Sequence, residues 1–362
     1  MPVSLFDTQT PLHPLRQTVL ERIQTVVQEG RFILGKEVEA FERELASYLG
    51  VNHVVGVANG TDALAICLRA LGVTRDDDVV VPAFTFYATA EAVAAIGARP
   101  VFCDVDLATR NVTVETVEAA LTPATKAIIA VDLFGAPAPV PALRSLGLPV
   151  VEDAAQAVGA SLDGARAGAL GDIAALSFFP SKNLGCFGDG GALATDDAAA
   201  AERARALRFH GSRDKQTFAS VGYNSRLDAL QAAILRVLLP ELDGWAAARR
   251  RVGEQYAAAG LSEHLELPHV EPGAQPAWHL YVARHRHADA LIAKLAERGI
   301  EARGYYRQPL HHQPAMAPYV ASDRRLIATE ELAATNLALP MSPAFGSQQV
   351  REVAQAVAAA LS

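Results

Sequence analysis

The stretch from Asp172 to Gly191 reads DIAALSFFPSKNLGCFGDGG. Its first part, Ile173 to Phe178, is small and apolar, which predicts a buried strand that ends before Pro180. Lys182 follows at once, among glycines and aromatic residues. A partly desolvated lysine has a lowered pKa and can act as a nucleophile and proton carrier, whereas a lysine beside an ordinary surface turn does neither. The stretch alone leaves both interpretations of Lys182 open.

A second apolar segment, PVVEDAAQ from Pro149 to Gln156, predicts a strand that ends in a carboxylate, Asp153. Ligands of open α/β sheets bind at the carboxyl ends of the strands, so Asp153 and Lys182 are expected at the same edge. An acid against a pyridine nitrogen and a lysine against an aldehyde are the groups with which proteins use pyridoxal phosphate as an electron sink. The pair therefore predicts such a site better than either residue alone.

Strand-like and helical segments alternate between residues 53 and 210, which is typical of βαβ units and a mostly parallel sheet covered on both faces. The expected fold class is α/β. Residues 1–244 are predicted to form a large domain that binds the cofactor, and residues 245–362 a smaller α+β domain. The expected boundaries of four elements can be compared with the structure: helices at Leu15–Gln28, Thr85–Ile96 and Ser225–Ala259 (interrupted at Pro240), and a strand at Trp278–Ala283.

The composition narrows the class of function. The chain has 362 residues, 51% of them hydrophobic, and a net charge of -8, which argues against nucleic acid and anionic membranes as partners. We find no apolar run of membrane-spanning length and no signal-peptide pattern. Three scattered cysteines, Cys67, Cys103 and Cys186, match neither a disulfide framework nor a zinc motif. The expected location is a reducing cytoplasm.

Seven motifs between Gly30 and Ala233 make the chain resemble the DegT/DnrJ/EryC1/StrS family of sugar aminotransferases. They are, in the order of that family, GRFILGKEVEAFE, ANGTDAL, VVPAFTFYATAEAV, VEDAAQAVGA, SFFPSKNLGCFGDGGA, FHGSRD and GYNSRLDALQAA. The resemblance implies the fold of aspartate aminotransferase (fold type I), with a seven-stranded sheet in the large domain. It also implies pyridoxal 5'-phosphate as cofactor, pyridoxamine phosphate as its aminated form, and Lys182 and Asp153 as catalytic residues.

The same resemblance implies how the cofactor's phosphate is bound. Gly60, Thr61 and Asp62 match the family's phosphate-binding turn, and Ser177 matches a serine that joins it. Asn224 matches an asparagine that reaches the phosphate from the neighbouring subunit, which implies a homodimer with shared active sites. From the residues alone, a Gly-Thr-Asp helix start is equally well explained as an ordinary N-cap.

For the cofactor ring, Phe86 matches an aromatic residue that stacks on it, and Gln156 matches a residue near its phenolic oxygen. The residues alone favour a core aromatic at position 86, since Phe84 and Tyr87 flank it. On the substrate side, the resemblance implies three contacts: Arg226, Tyr305 and Tyr306. An exposed ion pair is the competing explanation for the arginine. Adjacent histidines at 311 and 312 are expected to point in different directions, so no metal site is predicted.

The implied reaction moves an amino group from glutamate to a keto sugar nucleotide. The lysine loop resembles most closely members that aminate C3 of a UDP-linked 2-acetamido-3-keto-hexose, for cell-surface polysaccharide or amino-sugar biosynthesis. A dTDP-linked 3-keto- or 4-keto-6-deoxyhexose is the alternative acceptor. A cofactor-binding regulatory protein without turnover is the alternative from another class, and the presence of both Lys182 and Asp153 argues against it.

Overall fold

Mostly apolar segments of four to seven residues form the strands of the main sheet, and segments with one apolar face form most of the helices. The computed structural model describes residues 3–320 and 325–361. The helices are α1 (Arg16–Glu29), α2 (Lys36–Leu49), α3 (Gly60–Ala70), α4 (Ala88–Ala95), α5 (Val114–Glu118), α6 (Val140–Leu143), α7 (Ala198–Leu207), α8 (Ala229–Leu238), α9 (Leu242–Ala258), α10 (Ala288–Glu297), α11 (Ile327–Thr335) and α12 (Ser347–Leu361). The strands are β1 (His53–Val57), β2 (Asp78–Pro82), β3 (Arg99–Cys103), β4 (Thr125–Val131), β5 (Val150–Asp153), β6 (Ser161–Leu162), β7 (Ala165–Arg166), β8 (Ile173–Ser177), β9 (Gly191–Thr195), β10 (Ala274–Gln275), β11 (Tyr281–Arg284) and β12 (Asn336–Leu339).

Seven strands form the main sheet in the order β1-β9-β8-β5-β4-β2-β3. β9 runs antiparallel to both of its neighbours, and the other four pairings are parallel, so the remaining six strands all point one way. The expected mostly parallel, seven-stranded α/β sheet is confirmed. Its central strands β5 and β8 are neighbours in register, with Asp153 opposite Ala175. Their carboxyl ends therefore bring Asp153 and Ser177 to the same edge.

The C-terminal part has its own small sheet and its own apolar cluster. β11 pairs with β12, and α10 and α12 pack beside them over a cluster that includes Val252 and Tyr256 of α9. α9 spans both parts, because its residue Ala246 packs against Ala157 and Ala160 of the large part. The division at residue 245 therefore falls inside α9, and the two-domain boundary stays a prediction.

Three predicted boundaries differ from the structure. α4 begins at Ala88, and the loop before it is anchored by a hydrogen bond from the Leu310 N–H to the Ala83 carbonyl. The stretch predicted as helix from Ser225 begins at Ala229, since the Asp228 side chain caps α8 by accepting from the Gln231 N–H at 2.8 Å.

The strand predicted from Trp278 begins at Tyr281. The backbone N–H groups of Ala277 and Leu280 are bonded instead to the carbonyls of Gly135 and Phe134, and Trp278 has a φ of 40°. These long-range bonds replace strand pairing over the segment. Within the described residues, no helix combines the length and the apolar content that crossing a bilayer would require.

Candidate active site

A cavity of about 580 Å³ lies at the carboxyl ends of β5 and β8. It brings together nine of the twelve predicted site residues: Gly60, Thr61, Phe86, Asp153, Gln156, Ser177, Lys182, Tyr305 and Tyr306. These residues come from α3, two strand ends and four loops, and they converge because parallel strands deliver their carboxyl ends to one edge. The nine residues therefore line one cavity, and their roles stay predictions.

Lys182 lies half-buried in the wall of the cavity, directly after the turn that follows β8. Burial disfavours its charged form and lowers its pKa to about 8, although the nearby Asp153 carboxylate raises it in part. A substantial fraction of the amine is therefore neutral near pH 8. The surface-lysine interpretation is excluded by this position, and the amine can act as a nucleophile.

Asp153 is buried at the end of β5, with 5% of its surface exposed. Its Oδ2 accepts a hydrogen bond from the Thr89 hydroxyl at 3.1 Å, and its Oδ1 accepts from the Ala155 N–H at 3.2 Å. Burial raises the pKa of the carboxyl, and these two donors and the charge of Lys182 lower it in part. A cation placed against this carboxyl would favour its ionised form.

The N-terminus of α3 forms another wall. Its cap is Asn59, whose side chain accepts from the Asp62 N–H at 2.8 Å, while the N–H groups at the start of a helix carry a partial positive charge. Gly60 allows a close approach to β8, because a Cβ atom there would lie 2.8 Å from the Ser177 Cβ. The Ser177 hydroxyl therefore lies beside the helix N-terminus, and the two together suit an anion.

Aromatic side chains form a further part of the cavity wall. Phe86 has 55% of its surface exposed, whereas Phe84 is buried, so Phe86 is not the core aromatic that its neighbours suggested. Its ring centroid lies 6.0 Å from that of Tyr306. Gln156 donates to the Tyr306 hydroxyl at 3.1 Å and accepts from the Phe134 N–H at 2.8 Å. Gln156 therefore fixes the orientation of Tyr306.

Two residues that the sequence did not single out belong to the same cavity. Thr89 bonds Asp153 across 64 positions of sequence, and its position on α4 gives no local signal of this contact. His279 also lines the cavity, and its Nδ1 is buried without a hydrogen-bond partner among the described residues. Burial lowers the pKa of His279 well below its usual value, and the charge of Lys182 lowers it further. The imidazole is therefore neutral and offers a free polar atom.

Three predicted residues do not line the cavity of this chain. The backbone N–H of Asp62 donates a hydrogen bond to the side chain of Asn59, the N-cap of α3. Asn224 and Arg226 lie outside the cavity and bond one another, with Arg226 donating to the Asn224 side-chain oxygen. Arg226 also lies over the ring of Phe209, at 5.8 Å from its centroid, and no ion pair of Arg226 is found in the described part of the chain. The roles of these three stay predictions.

The residues of the cavity fit pyridoxal phosphate. The α3 N-terminus and the Ser177 hydroxyl suit a phosphate, Phe86 offers an aromatic face, and a buried carboxyl and an amine lie on the remaining walls. Asp153 has its own hydrogen bonds to Thr89 and Ala155, so its carboxyl is held in place without the Lys182 amine.

The sequence of the chain is similar to those of several known proteins. The model of the DegT/DnrJ/EryC1/StrS aminotransferase family matches residues 14–358. The chain is similar, at 42% identity, to a UDP-N-acetyl-3-dehydro-alpha-D-glucosamine 3-aminotransferase of Acidithiobacillus ferrooxidans, over 98% of this chain and 97% of that one. It is equally similar, at 42%, to a dTDP-3-amino-3,4,6-trideoxy-alpha-D-glucose transaminase of Streptomyces venezuelae (98% and 95%). A "pleiotropic regulatory protein" of Geobacillus stearothermophilus is 40% identical (99% and 98%).

Two solved structures have the same fold. DesV of S. venezuelae, solved with a ketimine intermediate, matches with a TM-score of 0.95 and 42% identity over 98% of this chain and 97% of that one. A Bacillus subtilis protein, NtdA, solved with bound pyridoxamine phosphate, matches with a TM-score of 0.88 and 30% identity over 96% and 82%. The predicted fold type, the aminotransferase class and the pyridoxal phosphate cofactor are confirmed. The chain belongs to the DegT/DnrJ/EryC1/StrS aminotransferase family.

Proposed function

We propose that this aminotransferase moves an amino group from glutamate to the keto group of a nucleotide-linked sugar. The proposed acceptor is a UDP-linked 2-acetamido-3-keto-hexose, and the product would enter cell-surface polysaccharide or amino-sugar biosynthesis. The single observation that carries the proposal is the cavity in which Lys182 and Asp153 lie with the α3 N-terminus and Phe86.

Each residue of that cavity has a proposed task. Pyridoxal phosphate, when bound, supplies an electron sink for the charge left when a C–H bond is broken. Lys182 Nζ would attach the cofactor at rest and, when released, would carry a proton between the α-carbon of the donor and the cofactor carbon. Asp153 binds the ring nitrogen and keeps it protonated. The N–H groups of Gly60 and Thr61 and the Ser177 hydroxyl bind the phosphate.

The choice of acceptor rests on the lysine loop and on relatives that act on related sugars. The A. ferrooxidans relative is named for a UDP-linked 3-dehydro sugar, and the S. venezuelae relative for a dTDP-linked sugar at the same identity. Whole-chain identity therefore does not separate the two. We propose the UDP-linked acceptor first, from the resemblance of SFFPSKNLGCFGDGG, and keep the dTDP-linked 3-keto- and 4-keto-6-deoxyhexoses as the alternative.

The test uses the cofactor-loaded protein. Glutamate is expected to bleach its yellow absorbance, and a keto sugar nucleotide is expected to restore it with formation of an amino sugar, identified by mass spectrometry. Comparing kcat/KM for UDP- and dTDP-linked 3-keto and 4-keto sugars then identifies the acceptor. Bleaching by glutamate without any amino sugar product would retain the aminotransferase and reject the sugar acceptor.

A regulatory protein without turnover is the second candidate, and the name of the G. stearothermophilus relative favours it. A regulator with an inactive site would bind the cofactor but would not be bleached and restored through repeated cycles. The first assay therefore separates the two candidates without any variant of the protein.

We propose that the active site is shared between two copies of the chain. Asn224 and Arg226 precede α8, and exposed apolar side chains surround that region: Phe32 and Ile33 (43% and 56% exposed) and Phe187 (49%). The backbone of 32–33 bonds to residues 228–229, and the Phe187 N–H bonds to Gln231 of α8. A second copy covering this surface would carry Asn224 and Arg226 toward the cavity of its neighbour.

Mixed dimers give a direct prediction. A chain with Lys182→Ala and a chain with Asn224→Ala and Arg226→Ala are each expected to be nearly inactive alone. When the two are co-expressed, half of the dimers are mixed and each holds one intact site, so activity returns to roughly a quarter of wild type. The matched control mixes Lys182→Ala with Asp153→Asn, which lie in the same cavity, and should not recover. Equal recovery, or its absence, in both mixtures would reject the shared site.

A further inference from the structure

A second group of chemically active side chains lies outside the cavity that holds Lys182. His311, His312 and Glu330 each offer one ligand atom, and these three atoms all lie within 4.8 Å of one another. The two histidines come from a short 3₁₀ turn, Leu310–His312, and the glutamate from α11. The expectation that the two rings diverge is wrong: their centroids are 4.0 Å apart, because the tight turn, closed by a His312 N–H to Pro309 carbonyl bond, holds them side by side.

His311 carries an unexplained feature. Its side chain is 7% exposed, and both ring nitrogens are buried without a hydrogen-bond partner among the described residues. Buried polar atoms normally have partners, so a ring with two unpaired nitrogens points to a ligand that the described residues do not supply.

The two elements that carry these ligands are held by the ends of two neighbouring strands, β2 and β3. Asp104, directly after β3, accepts hydrogen bonds from the N–H groups of Ala328 and Thr329 at the start of α11. The 3₁₀ turn is fixed by the bond from the Leu310 N–H to the Ala83 carbonyl, at 2.9 Å. The ligand atoms therefore need only small side-chain movements to converge on one ion.

We propose that His311, His312 and Glu330 bind a Zn²⁺ ion. Two imidazoles and one carboxylate are a ligand set that zinc uses with three protein ligands and one open position, whereas Mg²⁺ and Ca²⁺ prefer oxygen ligands alone. The open position faces solvent, since His312 is exposed. The ion ties the turn that follows Tyr305 and Tyr306 to α11, and so stabilises the substrate side of the cavity.

The guanidinium of Arg325 competes with the metal ion for Glu330. Arg325 forms an ion pair with Glu330, and its side chain is 75% exposed. An exposed ion pair contributes little to stability, so this guanidinium can turn to solvent when the metal binds. The competition has a testable consequence, because removing Arg325 should strengthen metal binding while removing a ligand should weaken it.

The experiment titrates Zn²⁺ into the chelator-treated, cofactor-loaded protein against a chromophoric chelator. One ion per chain is expected, with Mg²⁺ failing to compete. His312→Ala and Glu330→Gln should each weaken binding by at least about tenfold, and Arg325→Ala should tighten it. His264→Ala, at another exposed histidine, should change nothing. Zinc should also raise the Tm of the wild type and of His264→Ala, but not of His312→Ala.

Folding of the variants is checked without metal, where His312→Ala and the wild type should melt alike because His312 is on the surface. Cobalt provides a second readout, since a four-coordinate site gives visible absorption bands that the ligand variants should lack. The proposal is overturned if no saturable site is found, or if the ligand variants and His264→Ala bind zinc equally. Neither result bears on transamination, so this site and the proposed function fail separately.

Discussion

Replacing Lys182 with alanine is expected to lower the rate of amino-sugar formation by about 10³–10⁴-fold or more, since one residue supplies both the attachment point and the proton carrier. The matched control is Lys126→Ala, an exposed lysine at the start of β4, which should retain wild-type activity. The fold should survive, because the amine forms no ion pair with any described residue and its burial disfavours its charge. The Tm of both variants is therefore expected to stay near that of the wild type.

Attachment can be measured apart from turnover. Borohydride reduction of the wild type should fix the cofactor to the peptide that contains Lys182, and mass spectrometry should find no labelled peptide in Lys182→Ala. Wild-type protein freed of cofactor offers a further readout, because only the neutral amine reacts. The rate of cofactor capture should rise with pH through a midpoint near 8, the pKa of the buried amine, and level off above it. Retention of a tenth of the activity by Lys182→Ala would exclude the proposed role.

The sequence was informative about this site wherever a residue stands at the end of a strand. Asp153 and Lys182 follow apolar runs, and the rule that strand ends share one edge was enough to bring them together. The position of Phe86 was ambiguous from the sequence, since the local pattern does not distinguish an aromatic residue in the core from one on a cavity wall. The structure decides it, because the loop before α4 is held by Leu310, more than two hundred residues away.

Other features depend on contacts that no local pattern encodes. Thr89 and His279 reach the cavity from α4 and from an irregular segment, and each owes its position to long-range bonds, of Thr89 to Asp153 and of residues 277–280 to Phe134 and Gly135. The convergence of His311 and His312 likewise depends on the turn geometry. Asn224 and Arg226 belong to a surface of the chain, so their proposed role can be tested only with a second copy present.

Replacing Asp153 with asparagine is the second change with a large expected effect, a loss of about 10²–10³-fold in kcat/KM. The amide has the same shape and still accepts from the Ala155 N–H, but it carries no charge to hold a proton on the ring nitrogen. Thr89→Val, which removes the hydroxyl bonded to the same carboxylate, should cost roughly tenfold, since a hydrogen bond to a charged group contributes about 1.5–3 kcal/mol at most. Glu91→Gln, on the exposed side of α4, should have no effect.

The unfolding temperature of Asp153→Asn distinguishes a catalytic role of the Asp153 carboxylate from a structural role. Folding raises the pKa of Asp153 through burial, so the ionised form destabilises the folded protein at every pH above the pKa of the unfolded chain. Asp153→Asn in the cofactor-free protein should therefore unfold at the same or a higher temperature at pH 7 than the wild type, while losing activity. A variant that unfolds more easily and loses activity in proportion would make Asp153 a structural residue. If Asp153→Asn keeps full activity, Asp153 has no role in the mechanism.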